Sequence, residues 1–401
     1  MDSFEAHGLR VACAGGGPAG LYFSILLKLA SPTSHVTVLE RNPPGVTYGW
    51  GVVFWDDLLH DLYRNDPSSA REIHRSAVTW TGQMMCVGGE AAHVGIGTGF
   101  SISRRCLLDI LSRRAAGLGV DIQFQHEVER LSDLADADLI VGCDGVSSRV
   151  RQELADCFRT EVHVGRNKYI WLGTRRIFDA FTFAFERTVA GWIWCHAYRF
   201  DHEMSTFIVE CPHETWVGLG FDQLGATQSL GALESIFATH LDGQPLIDQV
   251  PDLNTAHWLN FKRITNGRWH HENVVLIGDA AHTTHFAIGA GTRLAIMDAI
   301  SLAHQLRSHQ DLRLALQAYE DNRRREMAAV QSLAGNSTRW FEEVDRHADL
   351  DVVRFAYSLW TRRGAHSRWR YQLHLALQHA PVRRILRWVK AARRAVRTKA
   401  N

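Results

Sequence analysis

The chain has no paired cysteines. Its seven, at 13, 86, 106, 143, 157, 195 and 211, are odd in number and scattered, and none forms a Cys-x-x-Cys pair. That fits a reducing cytoplasm better than a disulfide framework. The first residues lack a basic start followed by an apolar core and a small-residue cleavage site, so no signal peptide is read there and the expected location is cytoplasmic. No run approaches the roughly 20 apolar residues of a spanning helix. An excess of one charge is missing too: 44 Lys and Arg stand against 43 Asp and Glu, a net charge of +1. With no recognised binding module either, nucleic acid is not an expected partner. What remains is ordinary globular composition, 22% charged and 46% hydrophobic over 401 residues, enough for two or three domains.

The stretch Asn273 to Ala299, NVVLIGDAAHTTHFAIGAGTRLAIMDA, organises the rest. Val274 to Ile277 is an apolar, β-branched run of the kind that forms a buried parallel strand. Gly278 and Asp279 stop it, a loop with Gly289 and Gly291 follows, and from Thr292 the apolar residues fall near helical spacing. Strand, carboxylate, glycine loop and helix N-terminus together make a site for an electron-rich group, because free N–H groups and the positive dipole end face it.

Near the N-terminus, Leu9 to Ala14 reads as a strand, Gly15-Gly-Gly17-Pro-Ala19-Gly20 follows, Leu21 to Leu29 reads as a buried helix, and the strand His35 to Leu39 ends in Glu40-Arg41. This is the dinucleotide-binding fingerprint in its required context. Gly15 permits the tight turn, Gly17 lets backbone approach a pyrophosphate, Gly20 allows close packing, and Glu40 is placed to accept hydrogen bonds from a ribose. A third glycine-punctuated strand end comes at Ala137 to Gly142, followed by Asp144-Gly145.

The three motifs, in this order, resemble the FAD-dependent aromatic hydroxylases over roughly residues 9 to 300. Gly-Asp-Ala-Ala-His with Gly-x-Gly at 278–291 is similar to their second flavin motif, and the Glu40-Arg41 ending is of their kind. The resemblance implies that Asp279 holds the ribityl chain, that backbone around Gly291 and Thr292 stabilises charge on the flavin N1–C2 edge, and that Gly289 and Arg293 also belong to the cofactor site. It implies Gly51 and Val52 beside the isoalloxazine and, from the Arg-x-x-Leu-x-x-x-Leu pattern, Arg104 reaching the FAD. The chain departs from the commoner pattern at His285 and Phe286, which replace two prolines, and at Arg293, which replaces Asn. That form is similar to the subset acting on aryl-CoA thioesters and tryptophan-type substrates, as is the wording Cys195 to Asp201 with Ser205 to Glu210.

The implied fold class is α/β (α+β overall): a Rossmann-like FAD-binding domain interleaved with a mostly antiparallel substrate sheet and C-terminal helices. The flavin domain takes residues 1–76, 100–160 and 265–340, the substrate domain 77–99 and 161–264, and a helical, basic region 341–401. Strands are expected at His126 to Leu131, Lys168 to Thr174, Thr182 to Glu186, Gly191 to Tyr198, Ser205 to Glu210 and Trp216 to Phe221. Leu312 to Val330 is expected to be helical, with Arg323 to Glu326 on a solvated face. Residues 361–401 hold twelve Lys and Arg and no Asp or Glu. Their amphipathic pattern from Pro381 leaves open a CoA phosphate, an anionic membrane surface, an acidic partner, or a docked terminal helix.

The implied activity is hydroxylation of an electron-rich aromatic, indole-derived or aryl-CoA, through a flavin C4a-hydroperoxide with NAD(P)H and O2. His285, Phe286 and His196 are the catalytic-pocket candidates, His196 also reading as an ordinary buried strand histidine. Trp171, Phe183, Trp192 and Trp194 alternate, so they line either a pocket or a core. No metal is expected: His282 and His285 lie on a loop inside the flavin motif, without the i, i+4 helical spacing of a metal pair. Trp192-Ile-Trp194 is similar to a halogenase motif, but Cys195-His196-Ala197 breaks it. The alternatives are a halogenase, an oxygen-independent reductase, or a protein that holds flavin or ligand without turnover. No separate nicotinamide domain is visible, which leaves room for a partner reductase; oligomeric state is not readable.

Overall fold

The computed structural model describes residues 8–249 and 257–361. Two sheets organise them. The first has six strands in the order His270–His271, Val274–Leu276, Leu139–Gly142, Arg10–Ala14, His35–Glu40, Asp121–Phe124. All its pairings are parallel except the short hairpin at the His270 edge. Covered on both faces, these strands are apolar without alternation, as in Val11 to Ala14 and Leu139 to Gly142. Helix Pro18–Ala30 starts on a proline, whose fixed φ suits the first helical position, and it buries every residue from Pro18 to Leu27. Helix Gly291–Ser308 packs beside it.

The second sheet runs Leu246–Ile247, Thr160–Thr174, Ser205–Cys211, Gly191–Arg199, Phe181–Thr188, Val78–Val87, Glu90–Ser103, Gly51–Phe54, with Leu259–Asn266 also pairing Thr160–Thr174. Only Val78–Val87 against Phe181–Thr188 is parallel. Side-chain alternation splits it into two cores. Ile193, Cys195, Ala197, Phe207 and Val209 face one, under helix Ala226–Ile236. Phe183, Phe185, Trp192, Trp194 and Tyr198 face the other, against Phe341 and Phe355. The expected fold class therefore stands. Strand Gly51–Phe54, placed by sequence among flavin-domain residues, pairs with Glu90–Ser103 in the second sheet.

Three local expectations are corrected. His126 to Leu131 is not a strand: Gln125 adopts φ 57, its left-handed turn ends the ladder after Phe124, and a short 3-10 turn follows at Leu131–Leu134. Trp216 to Phe221 is not a strand either. Pro212 leads into helix His213–Gly218, and Gly220, at φ 75, turns the chain out of it. Arg323 does not belong to a solvated face. It is 2% exposed and paired inward, while Arg324, Arg325 and Glu326 are exposed, on a helix that runs from Leu312 to Glu342. The amphipathic segment from Pro381 lies outside the described residues. Among those described, no helix is long and apolar enough to cross a membrane.

Candidate functional site

The glycines of the 15–20 loop divide by what a side chain would meet. Gly15 sits at φ 114, and a Cβ there would lie 2.5 Å from the Cys143 carbonyl oxygen; on Gly20 it would lie 2.3 Å from that of Gly15. Those two are demanded by the fold. A Cβ on Gly17 would meet no described atom within 4 Å, and Gly17 caps helix Pro18–Ala30 with no side-chain hydrogen bond. Gly291 repeats this pattern: nothing described lies within 4 Å of its Cβ position, and the helix it opens has no side-chain cap.

The two uncapped termini converge on Gly278. At φ 63, its Cβ position lies 3.1 Å from Cβ of Ala19 and 3.5 Å from Cβ of Ala295. Ala19 is 5% exposed, so it packs this junction. The arrangement leaves unmatched N–H groups and two positive dipole ends at one cleft, with backbone close enough to take phosphate oxygens.

Charged side chains line the same cleft. Glu40 accepts from the Gly16 N–H at 2.8 Å with one oxygen, and from the Asn42 N–H and Nδ2 with the other at 2.8 and 2.7 Å. Arg104 donates to Thr47 Oγ1 at 3.0 Å; burial lowers its pKa, against the opposing pull of Asp279 and Glu40. Asp279 has an exposed side chain among buried neighbours, Gly278 and Ala280. Burial pushes its carboxyl up, and Arg104 and His282 pull it back. Gly289, at φ 62, passes so near Trp55 and Val53 that a Cβ would meet each at 2.9 Å. Two cofactor candidates send their side chains elsewhere: Arg41 reaches Glu127 at 3.9 Å, and Arg293 lies 2.9 Å from Asp57. Gly51 and Val52 are buried in their strand, where the Gly51 N–H donates to Thr206 Oγ1 at 2.9 Å and its carbonyl accepts from the Tyr198 hydroxyl at 2.8 Å.

A brace absent from the sequence reading stands behind the loop. Asp298, fully buried, accepts from the Gly278 N–H and His282 Nε2 at 2.8 Å each and from Arg323 Nε at 2.7 Å. Burial alone would raise its pKa, but His282 and Arg323 outweigh that and lower it. The available signal was an acid on the apolar stripe of helix Gly291–Ser308, beside Ala295 and Ala299.

Facing the loop is the inner surface of the second sheet. Cross-strand register places Tyr169, Glu210, Trp194 and Phe185 in one row, and Trp171, Ile208, His196 and Phe183 in the next. Of the four alternating aromatics, Phe183, Trp192 and Trp194 are core, and the Trp171 ring lies against Gly49. Phe286 comes down onto these rows, its ring 4.9 Å from Tyr169 and 5.3 Å from His196. His285 stacks on Phe341 at 5.6 Å and accepts at Nδ1 from the Ala287 N–H at 3.3 Å. Both His285 and His196 are buried, at 3% and 1% exposure. They flank Glu210, a residue the sequence reading quoted but did not single out. Its clue was a lone acid inside the buried strand Ser205–Cys211.

Two open Cβ positions at uncapped helix termini, with Arg104, Glu40 and Asp279 around them, fit a dinucleotide carrying a pyrophosphate and a ribityl chain. The comparisons agree. Residues 133–334 match the family model described as an FAD binding domain. The chain is 37% identical to a salicyloyl-CoA 5-hydroxylase from a Streptomyces species, over 88% of this chain and 70% of that protein. It is 34% identical to the 3-hydroxy-4-methyl-anthranilyl-(aryl-carrier protein) 5-monooxygenase of Streptosporangium sibiricum, over 90% and 96%. A solved 2-methyl-3-hydroxypyridine-5-carboxylic acid oxygenase superposes with a TM-score of 0.66 at 21% identity, covering 86% of this chain and 93% of that one, a likeness of fold. The chain belongs to the FAD-dependent aromatic hydroxylases. It is an FAD-dependent monooxygenase whose reductant is NAD(P)H and whose co-substrates are O2 and an aromatic compound.

Proposed function

We propose that this monooxygenase hydroxylates an aromatic ring delivered as a thioester, and that the ring binds beside Phe286, at the edge of the inner face of the second sheet. The observation that carries the placement is the Phe286 ring packed on Tyr169 and His196, three residues before the Gly289 turn. The thioester follows the two relatives above, whose names specify CoA and carrier-protein substrates. An indole-derived ring is the second reading, favoured by 29% identity to the protodeoxyviolaceinate monooxygenase of Chromobacterium violaceum over 88% of this chain and 95% of that protein.

In this reading the bound flavin supplies reduction by NAD(P)H and activation of oxygen, and the chain supplies position and exclusion of water. The 15–20 loop, with Gly15, Gly17 and Gly20, receives the pyrophosphate; Glu40, freed from the Gly16 N–H, receives a ribose. Arg104 and Asp279 hold the rest of the chain of the cofactor, and the N–H groups from Gly291 to Arg293 face its electron-rich edge. Phe286 covers the ring and His285 holds a polar group of the substrate, keeping bulk water from the reacting atoms. His196 orients from beneath. The enzyme acts in the cytoplasm, and a partner reductase remains an alternative source of electrons. The basic segment beyond residue 361 attracts the CoA phosphates, with an anionic membrane surface as its rival.

The test is turnover: NAD(P)H oxidation by the FAD-loaded protein with aryl-CoA thioesters and with free indoles, and mass spectrometry for a product gaining one oxygen. Stimulation by thioesters with coupled product supports the proposal. Stimulation by indoles alone transfers it to the second reading, and oxidation without oxygenated product contradicts both. Deleting residues 381–401 is expected to raise KM for the CoA thioester, most strongly at low salt, with flavin content unchanged.

A further inference from the structure

We propose, resting on the substrate face assigned above, that the carboxylate of Glu210 selects the charge of the substrate: an aromatic bearing a free carboxylate is rejected, and one whose carboxyl is masked is admitted. Glu210 lines a cavity of about 10 Å³ with Asn167, Tyr169, Phe261, His285 and Phe286, room for about one water, so a substrate meets its charge across this wall and not inside it. It is 1% exposed. Its oxygens accept from Asn167 Nδ2 at 2.8 Å and Trp194 Nε1 at 3.2 Å, with His285 Nε2 at 3.5 Å and His196 Nε2 at 3.4 Å. Burial alone would raise its pKa, but His285 and then His196 hold it down at about 2, so the group is an anion at working pH.

Among the described residues lining this cavity there is no lysine or arginine, and its other acid, Glu342, is taken by Arg166. A ring carboxylate would thus bring a second negative charge into a site where water and salt screen little. It would also find no guanidinium fork there, the group best matched to a carboxylate. A thioester, ester or amide carbonyl brings no charge and accepts a hydrogen bond. Glu210 is therefore a specificity residue, and one reason for such a ring to arrive esterified is built into the pocket wall.

The test compares binding of 2-hydroxybenzoate and 2-hydroxybenzamide, nearly equal in shape, to the FAD-loaded full chain. Calorimetry is run near pH 8.5, well above the ordinary carboxylate range, so that both the ligand acid and Glu210 are ionised. The wild type is expected to favour the amide by about 10-fold or more, and Glu210→Gln to bring the ratio within about 3-fold by tightening the acid. Glu210→Asp, which keeps the charge, retains the preference. Should Glu210→Gln not fold, the wild-type ratio between about 50 and 500 mM salt decides: a buried charge leaves it in place, whereas its collapse assigns it to surface charge and overturns the proposal. Equal binding by the wild type overturns it. So does a ratio unmoved by Glu210→Gln, or an amide that does not bind. These are binding readouts, so a failed hydroxylation assay would count against the thioester reading and leave this comparison standing.

Discussion

Asp298 and Glu210 are both buried carboxylates near the 278–290 loop, and they are held in opposite ways. Asp298 has a guanidinium on one oxygen and two further donors on the other, including the N–H of the left-handed Gly278. Glu210 has an amide, an indole and two imidazoles around it, and none of these four is a lysine or arginine. A buried acid paired to arginine fixes geometry, because separating the pair leaves an uncompensated charge. A buried acid among uncharged or titratable donors leaves a field in the space beside it. The first sits behind the proposed flavin cradle, the second against the proposed substrate face.

The largest expected effect is at the brace. Asp298→Ala leaves the buried Arg323 with only the half-exposed Glu326 as an ion-pair partner and should cost about 3 kcal/mol in denaturant unfolding. A cost below about 1 kcal/mol, the range of exposed pairs, would make the brace incidental. Next comes the cradle. Gly17 has φ −75 and open space at its Cβ position, so Gly17→Val should leave apoprotein stability nearly intact while weakening FAD binding by about 100-fold or more. Gly20→Val should instead unfold the apoprotein, and a Gly17→Val protein that purifies with stoichiometric flavin would sink the placement of the pyrophosphate. Glu40→Ala is expected to weaken FAD binding by about 1–3 kcal/mol in flavin titrations, the cost of leaving buried polar groups unpaired.

On the substrate side the effects are smaller and of another kind. His285→Ala should release roughly two- to threefold more hydrogen peroxide per NAD(P)H at normal flavin content, since water gains entry. Unchanged coupling would make His285 purely structural. The least change is in a slope. Glu210 has its folded pKa depressed from 4.5 to about 2, so its contribution to stability is present above about 4.5 and is lost as pH falls toward about 2. Glu210→Gln should flatten that part of the acid-unfolding curve, and an identical curve would show that the carboxyl is not held down.

Much of this was legible in the sequence. The strand–glycine–helix order at 9–30, 137–145 and 274–300 made the flavin half readable, because those turns admit few residue types. Strands Phe181–Thr188, Gly191–Arg199 and Ser205–Cys211 followed from alternation alone. The same alternation misled at Trp216 to Phe221, where Pro212 leads into helix His213–Gly218 and Gly220 turns the chain out of it. Arg323 was misread because a run of arginines looks solvated, and only the packing of helix Leu312–Glu342 on helix Gly291–Ser308 turns one of them inward to Asp298. Glu210 and Asp298 were missed for a common reason. Single acids on buried faces carry little local pattern, and their partners are distant in sequence, from His196, 14 residues before Glu210, to His285, 75 residues after it.

The division of labour between the two carboxylates is tested most directly by titrating FAD into apoproteins carrying Asp298→Asn and Glu210→Gln. The account predicts that Asp298→Asn loses about 10-fold or more in FAD affinity while Glu210→Gln stays within about 3-fold of the wild type. Equal losses in the two, or a larger loss at Glu210, would contradict it.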